Sequence, residues 1–253
     1  MADALVKARG LTRDFRGFRA LDGVDLDVAE GAVHALVGPN GAGKTTLFNL
    51  LTGFLAPSSG SVSIGGTETS RLRADQIAAL GVARSFQITS LFEQLTCREH
   101  VELALQARTS LGYRFWRSRR LLDRFRDRAD ELLVEVGLTA LADTVADQLA
   151  YGQKRALELA VVLARDPRLM LLDEPTAGMG LEDVSRTVEL VKRVRGGRTV
   201  VLIEHNMKVV GELADRVSVL QRGQLLAEGP YEQVRSDPAV IAAYLGDVDA
   251  QSH

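Results

Sequence analysis

The chain has 253 residues, of which 46% are hydrophobic and 25% are charged, and its formal net charge is −2 at pH 7. This composition predicts a soluble globular protein with a substantial core, and the near-neutral charge gives no reason to expect a nucleic-acid partner. The single cysteine, Cys97, cannot form a disulfide within the chain, which is typical of a reducing compartment. No apolar run approaches the ~20 residues that cross a bilayer, and no signal-peptide core follows the amino terminus, so any role at a membrane would require partners that span it.

Short apolar segments alternate with helix-like segments along most of the chain. Two loosely alternating strands are predicted at 5–11 and 24–28, and a buried strand at 33–37 leads into a helix that begins at Lys44. Further buried strands are predicted at 169–172, 200–203 and 217–220. Apolar strands separated by helices indicate a largely parallel sheet that is buried on both faces.

The segment from about 96 to 165 differs, because its apolar spacing is helical almost throughout. We interpret it as a helical subdomain inserted between strands of the α/β core, and residues 231–245 predict two short helices. Within the helical segment, 108–128 contains eight arginines among aromatic residues. This stretch fits a solvated helix face best, then a contact with a membrane partner or acidic headgroups, and nucleic acid least, because Asp123 and Asp127 dilute its charge.

Residues 38–45 read Gly-Pro-Asn-Gly-Ala-Gly-Lys-Thr, which matches the phosphate-binding loop pattern between a strand and a helix. The backbone N–H groups of such a loop converge on phosphate oxygens, and the helix N-terminus adds positive potential. Lys44 is expected to reach the β- and γ-phosphates, and the Thr45 hydroxyl is expected to bind Mg²⁺. The predicted ATP-binding residues here are Gly38, Pro39, Asn40, Gly41, Ala42, Gly43, Lys44, Thr45 and Thr46.

Two carboxylates follow the predicted strand at 169–172. Asp173 is expected to complete the Mg²⁺ shell, directly or through water. Glu174 is expected to lie nearer the γ-phosphate and to take a proton from the attacking water. Such a pair at a strand end is often only a solvated turn, and the phosphate-binding loop is what favours the catalytic interpretation.

Further features occur in the order found in one protein family. The segment 149–153, Leu-Ala-Tyr-Gly-Gln, begins a predicted helix ahead of Asp173. Gln87 follows Phe86 at the end of a further strand, His205 follows the predicted strand at 200–203, and Phe15 precedes the strands that lead into the phosphate-binding loop. With the loop and the acid pair, this series resembles the ATP-binding subunits of ABC transporters over nearly the whole chain.

The resemblance implies a role for each feature. Phe15 would stack on adenine, Gln87 would sense Mg²⁺ and the γ-phosphate, and His205 would hold the attacking water. The implied catalytic residues are Glu174, His205 and Gln87, and the implied Mg²⁺ ligands are Thr45, Gln87 and Asp173. The implied signature, which acts on the ATP of a second chain, consists of Leu149, Ala150, Tyr151, Gly152 and Gln153.

The fold that the resemblance implies is α/β: a P-loop NTPase (RecA-like) core with an inserted helical subdomain and an N-terminal antiparallel β subdomain, the ABC ATPase fold. Residues 1–253 would form a single ABC ATPase domain. Its α/β core would comprise 1–87 and 161–230, its helical subdomain 88–160, and its carboxyl-terminal helical tail 231–253.

The signature and the segments 203–207 and 237–246 are similar to the LivG-type ATPases of branched-chain amino acid importers. This implies a subunit that uses ATP and Mg²⁺ to power import of branched-chain amino acids or related small polar solutes. The implied partners are a second ABC ATPase subunit (identical or different), membrane-spanning permease subunits and, indirectly, a solute-binding protein, with the chain peripheral on the inner face of the cell membrane. The alternatives are an ATPase of a lipid or lipopolysaccharide exporter and a soluble ABC ATPase in cofactor assembly.

Three positions depart from the common family pattern. Ala150 replaces the signature serine, whose loss removes a hydrogen bond of roughly 1.5–3 kcal/mol to a charged group. Tyr151 replaces a signature glycine, and Gly180 stands near the place of an aspartate that helps couple the two ATP sites. The sequence therefore leaves the coupling route open.

Overall fold

The computed structural model describes residues 4–85, 91–107 and 119–250, with side chains described throughout these ranges except at 119–124 and 245–250. Packing divides the chain into two compact units. The core unit comprises Met1–Val82, Arg168–Glu174 and Gly197–His253, and the helical unit comprises Ala83–Pro167 and Pro175–Gly196. Within the described ranges, no helix is both long enough and apolar enough to cross a membrane.

The described residues form ten strands: β1 (Ala4–Phe15), β2 (Phe18–Ala29), β3 (Val33–Val37), β4 (Ser59–Ile64), β5 (Thr67–Glu68), β6 (Val82–Arg84), β7 (Leu169–Asp173), β8 (Thr199–Ile203), β9 (Arg216–Gln221) and β10 (Gln224–Gly229). They also form nine α-helices: α1 (Lys44–Leu51), α2 (Ala74–Ala79), α3 (Cys97–Ala107), α4 (Arg119–Glu135), α5 (Tyr151–Leu163), α6 (Leu181–Arg195), α7 (Met207–Leu213), α8 (Tyr231–Arg235) and α9 (Pro238–Ala250). Two short 3-10 helices lie at Thr139–Leu141 and Ala146–Gln148.

The strands form two sheets. One is four-stranded and antiparallel, in the order β2-β1-β4-β5, and the other is six-stranded, in the order β10-β9-β3-β8-β7-β6. Strands β7, β8, β3 and β9 run parallel, and β10 pairs antiparallel with β9. All residues of β3, β7 and β8 are buried, as expected of parallel strands covered on both faces. The predicted fold class, a P-loop NTPase core with an amino-terminal antiparallel sheet and an inserted helical segment, is confirmed.

One apolar cluster joins the two sheets to α1 in the core unit. Helix α1 has only eight residues, too few for stability in isolation. Its Leu47, Phe48 and Leu51 are fully buried, and each such side chain contributes roughly 1.5–3 kcal/mol by burial. Packing rather than helix propensity therefore fixes the helix that begins at Lys44.

In the helical unit, α6 packs on α5. Its buried side chains, Thr187, Val188, Val191 and Val194, repeat at helical spacing. Acidic residues occupy its first turn and basic residues its last, which suits the helix dipole. The sequence analysis includes this helix in the core range 161–230, whereas packing groups it with the helical unit. The division into domains stays a prediction.

A buried polar chain crosses the core unit from β3 to β10. The Ser218 hydroxyl donates to Glu228 Oε2 over 2.7 Å, and His34 Nε2 lies 2.7 Å from Ser218 Oγ. Because the hydroxyl has a single hydrogen, which it donates to Glu228, His34 must donate from Nε2. Burial lowers the pKa of His34 from 6.5 to about 4, with a smaller opposing effect from Glu228 and a lowering one from Arg216.

Replacing His34 with Gln is expected to make the free energy of unfolding less dependent on pH below about pH 6.5. The folded pKa lies below the unfolded one, so the unfolded state binds more protons between about pH 6.5 and 4, and stability falls as the pH drops through that window. From pH 7.5 to 5, the wild type should lose about 2 kcal/mol more than H34Q, counted as 1.5 pH units at 1.36 kcal/mol each. Urea unfolding at both pH values measures this, and equal losses in the two proteins would contradict it.

Candidate functional site

The predicted phosphate-binding loop lies between β3 and α1, where two of its glycines are sterically required. Gly38 has φ +145°, and a Cβ there would overlap the carbonyl oxygen of Leu220. Gly43 has φ +106°, and a Cβ there would lie 2.7 Å from the carbonyl oxygen of Ala20. The backbone of neighbouring strands and loops therefore leaves no room for a side chain at these two positions.

Within this loop, Lys44 folds back over the backbone. Its side chain is buried, and Nζ donates to the carbonyl oxygens of Gly38 (2.7 Å) and Pro39 (2.9 Å). Thr45, Asn40 and Gly41 are exposed. A buried ammonium beside exposed loop residues is the arrangement that a phosphate group can enter, taking over the bonds that Lys44 now makes to carbonyls.

The strand ends bring the predicted acids and histidine to the same edge of the six-stranded sheet. Strands β3, β8 and β7 are parallel neighbours, so the loop at 38–43, Asp173 and His205 all follow carboxyl ends at that edge. Asp173, the last residue of β7, is 3% exposed and is paired in register with Ile203. These sequence-predicted residues therefore belong to one edge of the core unit.

Glu174 and His205 are in direct contact. His205 Nε2 lies 2.7 Å from Glu174 Oε1, and since a carboxylate only accepts, the imidazole donates. Glu174 has φ +47° and its N–H donates to the carbonyl oxygen of Ile203 (3.0 Å), so its backbone conformation is held by β8. A glutamate oriented by a histidine on one side can accept a proton from a water on the other.

Sequence reasoning missed Glu204, which positions His205. Glu204 is 3% exposed, and its Oε2 accepts the backbone N–H groups of His205 (3.1 Å) and Asn206 (3.3 Å). Asn206 in turn caps α7, because its Oδ1 accepts the N–H of Lys208 (3.1 Å). The signal in the sequence was an acidic residue at a strand end, two residues before an asparagine at a helix start.

Tyr244 of α9 is a second residue that the sequence did not single out. Burial raises its pKa, and the backbone of Gly38 lowers it by a smaller amount. In the described part of the chain the buried hydroxyl makes no hydrogen bond of normal geometry, so its approach to Gly38 is close without being a full bond. The carboxyl-terminal helix therefore reaches the first glycine of the phosphate-binding loop.

Phe15 lies at the end of β1, opposite Phe18 of β2. The Phe15 ring is 39% exposed, and the Arg13 guanidinium carbon lies 4.7 Å from its centroid. An exposed aromatic ring of this kind can accept a planar base, so its predicted role in stacking on adenine stays open to test.

The signature segment forms the start of α5 in the helical unit. Leu149 is buried, and Ala150 is the N-cap, where a methyl group cannot accept the backbone N–H groups of the first turn. The Gln153 side chain compensates in part, because its Oε1 accepts the N–H of Ala150 (2.9 Å). Gly152 N–H and its neighbours at this helix end are then the groups left for a phosphate.

One predicted residue lies outside the described residues: Gln87, within 86–90. Most of the arginine-rich segment, 108–118, lies outside them as well. The roles given to both stay predictions.

Two of the predicted Mg²⁺ ligands, Thr45 and Asp173, lie among the described residues and suit a magnesium ion. Among the described residues, no cluster of three or more His, Cys, Asp or Glu side chains could hold a metal. Mg²⁺ in nucleotide sites is usually held by one or two protein oxygens together with phosphates and waters. The exposed Thr45 hydroxyl and the Asp173 carboxylate match that smaller donor set.

A phosphate-binding loop at the same sheet edge as a buried aspartate and a glutamate–histidine pair defines a nucleotide-hydrolysing P-loop enzyme. The family model described as ABC transporter matches residues 21–177, more than half of the chain. A second model, described as branched-chain amino acid ATP-binding cassette transporter, matches residues 224–250. The chain belongs to the ABC transporter family as an ATP-binding subunit, and it is an ATPase.

Relatives match the chain almost end to end. The chain is 39% identical to the high-affinity branched-chain amino acid transport ATP-binding protein BraF of Pseudomonas aeruginosa, covering 98% of this chain and 100% of that protein. It is 38% identical to the corresponding LivG of Escherichia coli, with the same coverage of both chains. The resemblance to LivG-type ATPases is thereby confirmed.

Solved structures agree with the fold. A crystal structure of the ADP conformation of an ATP-binding cassette from an ABC transporter matches with a TM-score of 0.85 and 29% identity, over 96% of this chain and 99% of that one. A dimeric post-hydrolysis cassette bound to ADP and phosphate matches with a TM-score of 0.75 and 28% identity, over 89% of this chain and 98% of that one.

Proposed function

We propose that this ATPase powers the import of branched-chain amino acids, or of related small polar solutes, across a membrane. The observation that carries the proposal is similarity to BraF and LivG over 98% of the chain, together with the separate match at 224–250. The lipid-exporter and cofactor-assembly alternatives have no comparable support.

For hydrolysis, each residue at the sheet edge has a task that its contacts support. Lys44 exchanges its bonds to the carbonyls of Gly38 and Pro39 for bonds to the β- and γ-phosphates. Glu174, held by His205, accepts a proton from the water that attacks the γ-phosphate. Thr45 and Asp173, together with Gln87 as the family resemblance implies, would hold Mg²⁺, which would neutralise phosphate charge.

We place the signature against the ATP of a second ATPase chain, either an identical copy or a similar subunit. Family resemblance supports this, as does the dimeric cassette among the matched structures. ATP would hold the two chains together, and hydrolysis of the γ-phosphate would let them separate. The pair would therefore alternate between a closed state with ATP and an open state after hydrolysis.

The motor would reach the membrane through permease partners and would lie on the cytoplasmic side of the cell membrane. A solute-binding protein would deliver the cargo, and the residues that choose it would belong to those other subunits. This chain would therefore influence the rate of transport but not the choice of solute.

A transport assay tests the proposal. The tagged protein is purified from host membranes, the spanning proteins that co-purify are identified, and the complex is reconstituted in vesicles with its binding protein. ATP-dependent uptake of radiolabelled leucine, competed by isoleucine and valine but not by ribose, is the expected result. Purification without any membrane-spanning partner, or leucine uptake that does not depend on ATP, would overturn it.

A further inference from the structure

Tyr151 stands in the signature where the family commonly has glycine, and its side chain makes bonds that glycine cannot make. We propose that Tyr151 is a positioning residue that ties the signature to the linker 175–180, which directly follows Glu174. The inference rests on the proposed function, in which the signature senses the ATP of a second chain. It supplies a coupling route within the helical unit.

The tie is a hydrogen bond from a side chain to the backbone. Tyr151 Oη donates to the carbonyl oxygen of Ala177 over 3.0 Å. Ala177 lies inside a turn, because the N–H of Met179 donates to the carbonyl oxygen of Thr176 (3.3 Å) and Gly178 has φ +75°. Tyr151 thus fixes the middle of the linker, three residues after Glu174 in the chain.

Arg155, one turn further along α5, holds the tyrosine in place. Arg155 Nη2 donates to Tyr151 Oη (3.3 Å), and its guanidinium carbon lies 5.6 Å from the ring centroid. Arg155 Nη1 is itself bound to Glu158 (2.8 Å), and the side chains of this pair are only 8% and 12% exposed. The hydroxyl that donates to Ala177 therefore accepts from a fixed, nearly buried cation.

A second contact joins the signature to the start of α6. A Cβ on Gly152 would lie 3.2 Å from Asp183 Oδ1, so the Asp183 carboxylate rests against the signature glycine. Arg186 Nη1 lies 3.7 Å from the same carboxylate oxygen. The linker is therefore held near its middle by Tyr151 and just beyond its end by Asp183.

Burial does not explain the tyrosine, because Tyr151 remains 43% exposed. The hydrogen bonds of Tyr151 instead compensate for two departures from the family pattern, at Ala150 and Gly180. Ala150 offers no hydroxyl to phosphate, so the backbone at the start of α5 must do this work, and Gly180 offers no carboxylate for coupling. With Tyr151 bound to Ala177, a shift of the α5 backbone towards phosphate also moves the linker beside the catalytic glutamate.

Tyr151→Phe tests the tie, because it removes the hydroxyl and keeps the ring. We expect kcat for ATP hydrolysis to fall about 3- to 10-fold, the value of one hydrogen bond, with KM for ATP within about twofold of the wild type. The Hill coefficient for ATP should fall towards 1. Tyr231→Phe, a hydroxyl deletion on α8, is the matched control and should change none of these values.

Hydrogen exchange separates coupling from general destabilisation. In the Glu174→Gln background, ATP should protect the amides of 150–153 and of 176–180 together. Adding Tyr151→Phe should leave the first protection in place and remove the second, with a melting temperature lowered by no more than about 2–4 °C.

Unchanged kcat, unchanged cooperativity and undiminished protection at 176–180 in Tyr151→Phe would overturn the tie. That failure is distinct from a failure of the proposed function, which would show as absent ATP hydrolysis or absent ATP-dependent transport in the wild type.

Discussion

Glu174→Gln is expected to lower the rate of ATP hydrolysis at least ~100-fold while ATP binding stays near the wild-type affinity, since a general base contributes on the order of 10²–10⁴. Gln has nearly the same shape as Glu, and its amide oxygen can still accept from His205 Nε2, which now lies 2.7 Å from Glu174 Oε1. The substitution therefore removes basicity and leaves the geometry. Phosphate release under saturating MgATP, together with calorimetric ATP titration, measures the two effects.

Glu232→Gln provides the matched control for this experiment. Glu232 lies on α8, and its side chain is 79% exposed. Its Oε2 lies 3.6 Å from Arg235 Nη1. Its replacement should leave turnover unchanged. If Glu174→Gln turned over ATP within about threefold of the wild type, Glu174 would not be the base, because a base contributes on the order of 100-fold or more.

Lys44→Ala is expected to weaken nucleotide binding itself, unlike Glu174→Gln, which is expected to leave binding intact. The change removes a buried ammonium that donates to the carbonyls of Gly38 and Pro39 and that would donate to phosphate in the ATP complex. Charge-assisted hydrogen bonds of about 1.5–3 kcal/mol predict that the Kd for ATP rises by about 10- to 100-fold. Fluorescent-nucleotide titration measures this rise.

Lys192→Ala is the matched control for Lys44→Ala. Lys192 lies on α6, is 39% exposed and pairs with Glu189. It should bind ATP as the wild type does. Wild-type affinity in Lys44→Ala would place the phosphates elsewhere on the chain.

Much of the core site could be predicted because its signals are local. The loop at 38–45 is a continuous pattern, and it begins a helix as expected. Asp173 and His205 were each placed at strand ends, and parallel strands bring such ends to one edge. Strand positions were less accurate: β1 and β2 extend beyond 5–11 and 24–28, because shifts in the register of their pairing interrupt the alternation of buried and exposed residues.

Contacts between distant parts of the chain could not be predicted. The direct bond between Glu174 and His205 depends on the register of β7 with β8, which pairs Asp173 with Ile203. The bond from Tyr151 to Ala177 spans 26 residues and depends on how the start of α5 meets the linker. From the sequence, Tyr151 could be recognised only as a departure from the family pattern.

The approach of Tyr244 to Gly38 likewise has no local signal. The ending at 237–246 indicated a subfamily by resemblance, but nothing in its periodicity indicated a contact with the phosphate-binding loop. Only the packing of α9 in the core unit places the buried hydroxyl there.

The central claim is that two ATPase chains share each ATP, and the mass of Glu174→Gln in solution tests it most directly. One chain has a mass of 27.4 kDa. Light scattering should give the mass of one chain with MgADP and of two chains with saturating MgATP, because the uncleaved γ-phosphate keeps the chains joined. A single-chain mass at saturating MgATP, with ATP bound, would contradict sharing of ATP between identical chains, and the same result after addition of the similar ATPase subunit would contradict the claim itself.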